Sequence, residues 1–225
     1  MTADAIAAAW NDVNARIARA APRGGVTLVA VGKTHPPAAI RALAACGARA
    51  FGENYVQEAL AKQAALADLS LQWHAIGPLQ SNKAREIARH FDWLQTLDRA
   101  KLIEPLARHR DAGAAPLNVL IQVNIDDEGS KSGCMPDAIP QLAELVGRQS
   151  ALRLRGLMAI PAPLDSARRR KAFRRMRALF DTLASTHAGV DTLSMGMSDD
   201  FELAINEGAT MVRVGSALFG ARRPG

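Results

Sequence analysis

The sequence predicts a single closed (β/α)8 barrel of TIM type, with an extra N-terminal helix, spanning residues 1–225. Three observations carry that reading. Eight short apolar runs rich in β-branched residues alternate with stretches whose apolar residues fall at helical spacing. Strands separated by helices form βαβ units and a parallel sheet. No glycine-rich nucleotide fingerprint follows the first run, which turns the choice away from the rival fold, an open doubly wound sheet. The length sits near the small end of the barrel architecture, and no linker or internal repeat divides it.

In chain order, a helix over about Ala3–Ala20 precedes the first strand. Strands are expected at Val26–Gly32, Ala48–Phe51, Trp73–Gly77, Trp93–Leu97, Leu117–Ile125, Leu154–Ile160, Thr192–Met195 and Met211–Val214. Between them, helical faces read as Ile40, Leu43 and Ala44; Leu60, Ala64 and Ala67; Ala84, Ile87, Ala88 and Phe91; Ile139, Leu142, Ala143 and Val146; and Phe201, Ala204 and Ile205. The punctuation agrees: Pro36-Pro37 can open a helix, Gly47 and Gly208 can close one, and Ser81 can cap one.

Composition narrows the function. Lys plus Arg is 28 against 22 acidic residues, a formal charge of +6 that suits an anionic ligand. Aromatics are only 4% of the chain, with one tyrosine, Tyr55, which argues against a base-stacking nucleic-acid platform. Cys46 and Cys134 stand far apart and form no disulfide framework, so a cytoplasmic protein is expected. The five histidines show no zinc-ligand spacing around those cysteines. No run approaches the 18 or so apolar residues of a membrane span, and no basic region precedes an apolar core at the N-terminus.

Five segments carry candidate chemistry. Gly32-Lys33-Thr34 resembles the end of a P-loop, but Thr27 stands where that motif needs glycine. On a strand, Val29, Val31 and Lys33 share one face, which puts the Lys33 amine at the barrel mouth. A lysine desolvated there can condense with an aldehyde. Asn54, just past the second strand, reads equally as a helix cap and as a ligand contact at the mouth. His74 lies early in its strand and reads as a satisfied interior histidine. The polar stretch Gln122–Gly133 reads as a mobile loop over the mouth, since its acidic residues fail the EF-hand register.

The loops after the last two strands hold Ser198, Gly215 and Ser216. In this fold a phosphate most often binds there. Arg213 points inward if Val212 and Val214 pack on the outer helices, and it then needs an acceptor, whether a ligand or a carboxylate such as Glu53. Arg168–Arg177 is strongly basic, but Phe173, Met176, Phe180 and Leu183 line one face, so a solvated barrel helix is expected ahead of a nucleic-acid site.

An amine and a phosphate site facing each other across one mouth suit a ligand with an aldehyde and a phosphate, and pyridoxal 5′-phosphate is that ligand. The chain resembles the pyridoxal phosphate homeostasis proteins, whose barrel is similar to the N-terminal domain of alanine racemase. The resemblance runs through GKT (32–34), FGENYVQE (51–58), WHAIGPLQSNK (73–83), QVNIDDEGSKSG (122–133), RGLMAIPAP (155–163), LSMGMSDDFELAI (193–205) and VRVGSALFGAR (212–222). It implies Schiff-base attachment at Lys33, and phosphate contacts from Ser198, Gly215 and Ser216. It also implies Arg213 at the pyridine nitrogen and a ring-side contact from Asn54. Gly32 and His35 depart from the resemblance, where the family often has a serine and a second lysine.

The resemblance further implies a cofactor carrier, with apo forms of pyridoxal-phosphate enzymes as partners, and no turnover of its own; a monomer is the simplest expectation. Racemases of this fold need a tyrosine from an extra β domain, for which eight strands and their helices leave no room here. An amino-acid racemase is the alternative, and a nucleic-acid binder working through Arg168–Arg177 is the third reading.

Overall fold

Eight parallel strands close on themselves in sequence order, each hydrogen-bonded to the next, in a computed structural model that describes residues 1–126, 132–162 and 165–220. They are β1 (Thr27–Val31), β2 (Ala50–Glu53), β3 (Gln72–Ala75), β4 (Trp93–Leu97), β5 (Leu117–Gln122), β6 (Leu152–Met158), β7 (Thr192–Ser194) and β8 (Met211–Val214). Parallel pairing of Thr27–Ala30 with Met211–Val214 closes the barrel. The helices are α1 (Ala3–Ala20), α2 (Pro37–Ala45), α3 (Val56–Ala65), α4 (Ala84–His90), α5 (Ile103–His109), α6 (Ile139–Gly147), α7 (Ser166–Thr186), α8 (Phe201–Asn206) and α9 (Ser216–Phe219). The expected barrel and its N-terminal helix are both present. Among the described residues no helix is long and apolar enough to cross a membrane.

The core has two compartments. Alternate strand residues face outward and pack against the helices, Val212 and Val214 among them. The other set faces the axis, where Val29, Ala50, Trp93, Leu120, Met158 and Met211 form a separate cluster. Local signals hold at the helix ends. Pro37 occupies the first turn of α2, and Gly47 and Gly208 take φ of +105° and +95° just past α2 and α8. Ser81 makes no capping bond and begins a single 3-10 turn instead.

The basic helix α7 buries Ala172, Phe173, Met176, Phe180 and Leu183. Its arginines meet carboxylates: Arg169 to Asp200 at 3.2 Å, Arg170 and Arg174 to Glu207 at 2.6 and 2.9 Å, and Arg177 to Asp181 at 2.6 Å. Charge that is internally paired is not free to neutralise nucleic-acid phosphates, which favours the solvated-helix reading.

Only β4 and β8 match the expected ranges at both ends; the other strands differ by one to three residues, and two of these differences bear on the site. β2 runs on through Gly52 and Glu53, which pair with His74 and Ala75 of β3, and Lys62 of α3 meets the Glu53 carboxylate at 2.8 Å. β1 stops at Val31, two residues before Lys33. Residues 127–131 of the loop expected to cover the mouth lie outside the described residues. So do residue 163 and residues 221–222, at the ends of two of the resembling segments.

Candidate ligand site at the barrel mouth

Lys33, Ser198, Arg213, Gly215 and Ser216 line one cavity of about 210 Å3, together with Val31, Thr34, His35 and Met197. It lies over the C-terminal ends of β1, β7 and β8, the face on which barrel enzymes place their ligands. Lys33 is half-buried there. The next residue, Thr34, is the one non-glycine among the described residues with a left-handed backbone, φ +67°. Such a conformation costs of order 1–3 kcal/mol and needs support from its surroundings. Part of that support is the Glu58 carboxylate, which accepts the Thr34 amide at 2.6 Å.

Opposite Lys33, the Ser198 hydroxyl accepts the amides of Gly215 and Ala217 at 3.2 and 3.3 Å. Two backbone donors at the start of α9 therefore converge on one oxygen. A Cβ on Gly215 would lie 3.3 Å from the Val31 Cβ and 3.4 Å from its carbonyl oxygen, so this wall of the cavity is already full.

Arg213 is buried and inward, as the outward packing of Val212 and Val214 requires. Its partners are not the expected carboxylate: Nη1 donates to Ser194 Oγ at 2.6 Å and Nη2 to the Ala159 carbonyl at 2.9 Å. Glu53 is engaged by Lys62 instead. Only two of the five Arg213 N–H donors are engaged, and among the described residues Nε–H has no hydrogen bond, so a buried arginine lining the cavity keeps donors to offer. Burial pushes the guanidinium down to about 10, with Asp200 acting the other way, and it stays charged at neutral pH.

Arg213 is the last member of a polar chain through the barrel interior. Ser194 Oγ donates to Gln95 Oε1 at 2.7 Å, Gln95 Nε2 donates to His74 Nδ1 at 2.9 Å, and His74 Nε2 reaches Gln72 Oε1 at 3.1 Å. Donor and acceptor roles are consistent for a neutral His74 carrying its proton on Nε2. His74 also stacks on Trp93 at 5.2 Å between centroids. It is the satisfied interior histidine expected, and burial pushes it down to about 3.

The unfolded chain protonates this residue near 6.5, whereas the native fold resists until about 3. Below 6.5 the unfolded state binds the extra proton, so His74 costs native stability about 1.4 kcal/mol per pH unit of acidification. Glu53, raised to about 7 mainly by burial, acts in the opposite sense between 4.5 and 7. Comparing wild type with His74→Gln isolates the histidine. Denaturant titrations at pH 7, 6 and 5 should show the wild type losing stability relative to the variant as pH falls, by about 2 kcal/mol in all.

Asn54 does not cap α3, whose N-cap is Tyr55. It lines a neighbouring hollow in the mouth with Ile76, Pro78, Gln122, Ser132 and Ile160, and a crevice with Lys83, Ile87 and Phe91. The structure thus gathers five of the six expected site residues around one cavity and sets Asn54 beside it. Sequence reasoning did not find Glu58 and Lys62, which hold the loop bearing Lys33 from beneath. It also passed over Gln95 and Ser194, which hold Arg213. The glutamine within the apolar strand β4, buried like its neighbours, was the available signal for the second pair.

A lysine beyond the first strand and glycine–serine loops beyond the last two define a barrel that presents an amine and backbone donors to a single cavity. The chain belongs to the alanine racemase N-terminal domain family, whose model matches residues 3–223, and within it to the pyridoxal phosphate homeostasis proteins. It is 57% identical over 216 residues to the pyridoxal phosphate homeostasis protein of Pseudomonas aeruginosa, covering 93% of each chain. The structure of PipY from Synechococcus elongatus, with PLP bound, superposes with a TM-score of 0.83 at 39% identity, covering 96% of this chain and 100% of that one. The alanine racemase of Corynebacterium glutamicum shares the fold, with a TM-score of 0.67 at 23% identity. The match covers 97% of this chain but only 61% of the racemase.

Proposed function

We propose that this protein binds pyridoxal 5′-phosphate at the barrel mouth and buffers it or passes it to apo forms of pyridoxal-phosphate enzymes, without a turnover of its own. One observation carries the reading: the Lys33 amine, the paired amides at Ser198 and the spare Arg213 donor all belong to one cavity. The residues present fit that ligand. When bound, it supplies an aldehyde that condenses with a primary amine, and a ring that draws electrons. Lys33 supplies the amine. Ser198, Gly215 and Ser216 hold the phosphate with hydroxyl and amide donors. Arg213 offers Nε–H to the pyridine nitrogen, and Asn54 flanks the ring from the adjoining hollow.

The naming of the relatives supports the homeostasis role, and the site supports binding more than turnover. A cytoplasmic, monomeric carrier fits the two free cysteines, Cys46 and Cys134. The direct test is the absorbance spectrum of the purified protein before and after borohydride reduction, followed by peptide mapping. One equivalent of label on the peptide holding Lys33 is the expected result.

The phosphate end has its own test. At position 215 a valine must turn its methyl groups into the cavity or displace Val31, so Gly215→Val should abolish retention of the cofactor through gel filtration. Ser216→Ala should be milder, removing one hydrogen bond to a charged group, worth about 1.5–3 kcal/mol. Undiminished retention in Gly215→Val would remove the phosphate from this loop.

A further inference from the structure

Lys62 and Glu58 stand four residues apart on α3, the spacing of an ordinary exposed helix pair. The fold treats them otherwise. The Lys62 side chain is only 4% exposed, and that of its partner Glu53 is fully buried. An ammonium has three hydrogens to donate. Three oxygens receive them: the Gly32 carbonyl at 2.7 Å, Glu53 Oε1 at 2.8 Å and Glu58 Oε1 at 2.7 Å. Glu58 Oε1 in turn accepts the Thr34 amide at 2.6 Å. Both residues that flank Lys33 in the chain are therefore tied to one buried cation, Gly32 directly and Thr34 through Glu58.

The space around this knot is specific. A Cβ at Gly32 would come 2.7 Å from Glu53 Oε1 and 3.1 Å from Ile40 Cδ1. Glycine at 32 is what lets the Glu53–Lys62 pair lie directly under the loop. The strain recorded at Thr34 is the other sign that the loop is held rather than relaxed. Lys62 itself, with its three donors spent, is not available as an amine, and Lys33 is the one lysine among the described residues that lines this cavity.

We propose that Lys62 is a positioning residue for Lys33: its buried ammonium holds the Gly32 carbonyl and, through Glu58, the Thr34 amide, and so aims the Lys33 amine into the cavity. The proposal rests on the reading of Lys33 as the residue that captures the aldehyde. It makes Lys62 matter for the amine's reach and not for the phosphate cradle, which belongs to β7 and β8.

The test compares two ligands on the full chain. Pyridoxal 5′-phosphate has ring, phosphate and aldehyde; pyridoxine 5′-phosphate has the ring and phosphate with a hydroxymethyl group in place of the aldehyde. The ratio of their affinities reads the contribution of the amine. In Lys62→Met that ratio should fall by about ten- to a hundredfold, the scale of an ångström-level misplacement, while pyridoxine 5′-phosphate binds as in the wild type. Acetic anhydride labelling of the ligand-free protein gives a second readout: the rate at Lys33, relative to exposed Lys101, should change in Lys62→Met. A folded Lys62→Met protein with an unchanged ratio overturns the proposal. If that variant does not fold, Glu58→Ala, at a partly exposed carboxylate, frees the Thr34 amide and one Lys62 hydrogen while the Lys62 bonds to Gly32 and Glu53 remain. It should lower the ratio less but in the same direction, and no change there overturns the proposal equally. A wild type that shows no preference for the aldehyde removes the Lys33 reading itself, a result distinct from failure of the variants.

Discussion

Replacing Lys33 with alanine should remove every trace of borohydride-fixed cofactor while leaving weak, reversible binding. The cavity explains both halves. Lys33 lines it, whereas Lys62 nearby has all three donors committed to Gly32, Glu53 and Glu58. Lys83 lines a separate crevice between β3 and α4. Among the described residues no other lysine lines this cavity. The donors on Ser198, Gly215 and Ser216 are untouched by the substitution, and each hydrogen bond to a charged phosphate retains about 1.5–3 kcal/mol. Intact-mass analysis after reduction should show one adduct on the wild type and none on Lys33→Ala. Equilibrium dialysis should still find the ligand bound to the variant, with affinity lowered by two or more orders of magnitude, about 3 kcal/mol. An adduct that migrates to another lysine would overturn the assignment.

How far the sequence alone reaches depends on whether a residue's role is local. The strands are legible because a parallel barrel strand is buried on both faces and so reads as a short apolar run, as Leu117–Gln122 does. The inward turn of Arg213 is legible because two valines flank it and pack outward. Its partners are not. Glu53 looks like the nearest buried acid, but α3 brings Lys62 to it from nine residues away, and Arg213 is left to Ser194 and the Ala159 carbonyl. The placement of Lys33 is right for an incomplete reason. Alternation from Val29 and Val31 points it inward, yet the strand has ended by then and the loop is held by hydrogen bonds to α3. A Glu–Lys pair at i,i+4 gives no hint of burial until the sheet against which the helix packs is known.

Alanine incubated with the loaded protein in heavy water should keep its α-proton. Exchange or racemisation at that carbon needs two things. The ring must accept electron density, and a proton donor must stand on each side of the carbon. Ring acceptance is strongest when the pyridine nitrogen is protonated, which a neighbouring carboxylate favours. In the proposed site Arg213 would do the reverse: a guanidinium offers only donors, even with burial lowering it to about 10, so it would hold the nitrogen as an acceptor. The second requirement, the proton donors, is the decisive one. In the proposed site Lys33 would serve one side. The one tyrosine in the 225 residues, Tyr55, is largely exposed at the start of α3 and lines the crevice beside Lys83, not the cavity of Lys33. His35 lines the cavity but stacks on Phe219 at 4.6 Å, and burial, with the Lys62 charge nearby, lowers its pKa and so disfavours its acid form. Proton NMR of alanine in heavy water should therefore show no more loss of the α-signal with wild type than with Lys33→Ala. Loss that depends on Lys33 and proceeds at about 1 s⁻¹ or faster, the lower end of ordinary enzyme turnover, would replace the carrier reading with that of a racemase.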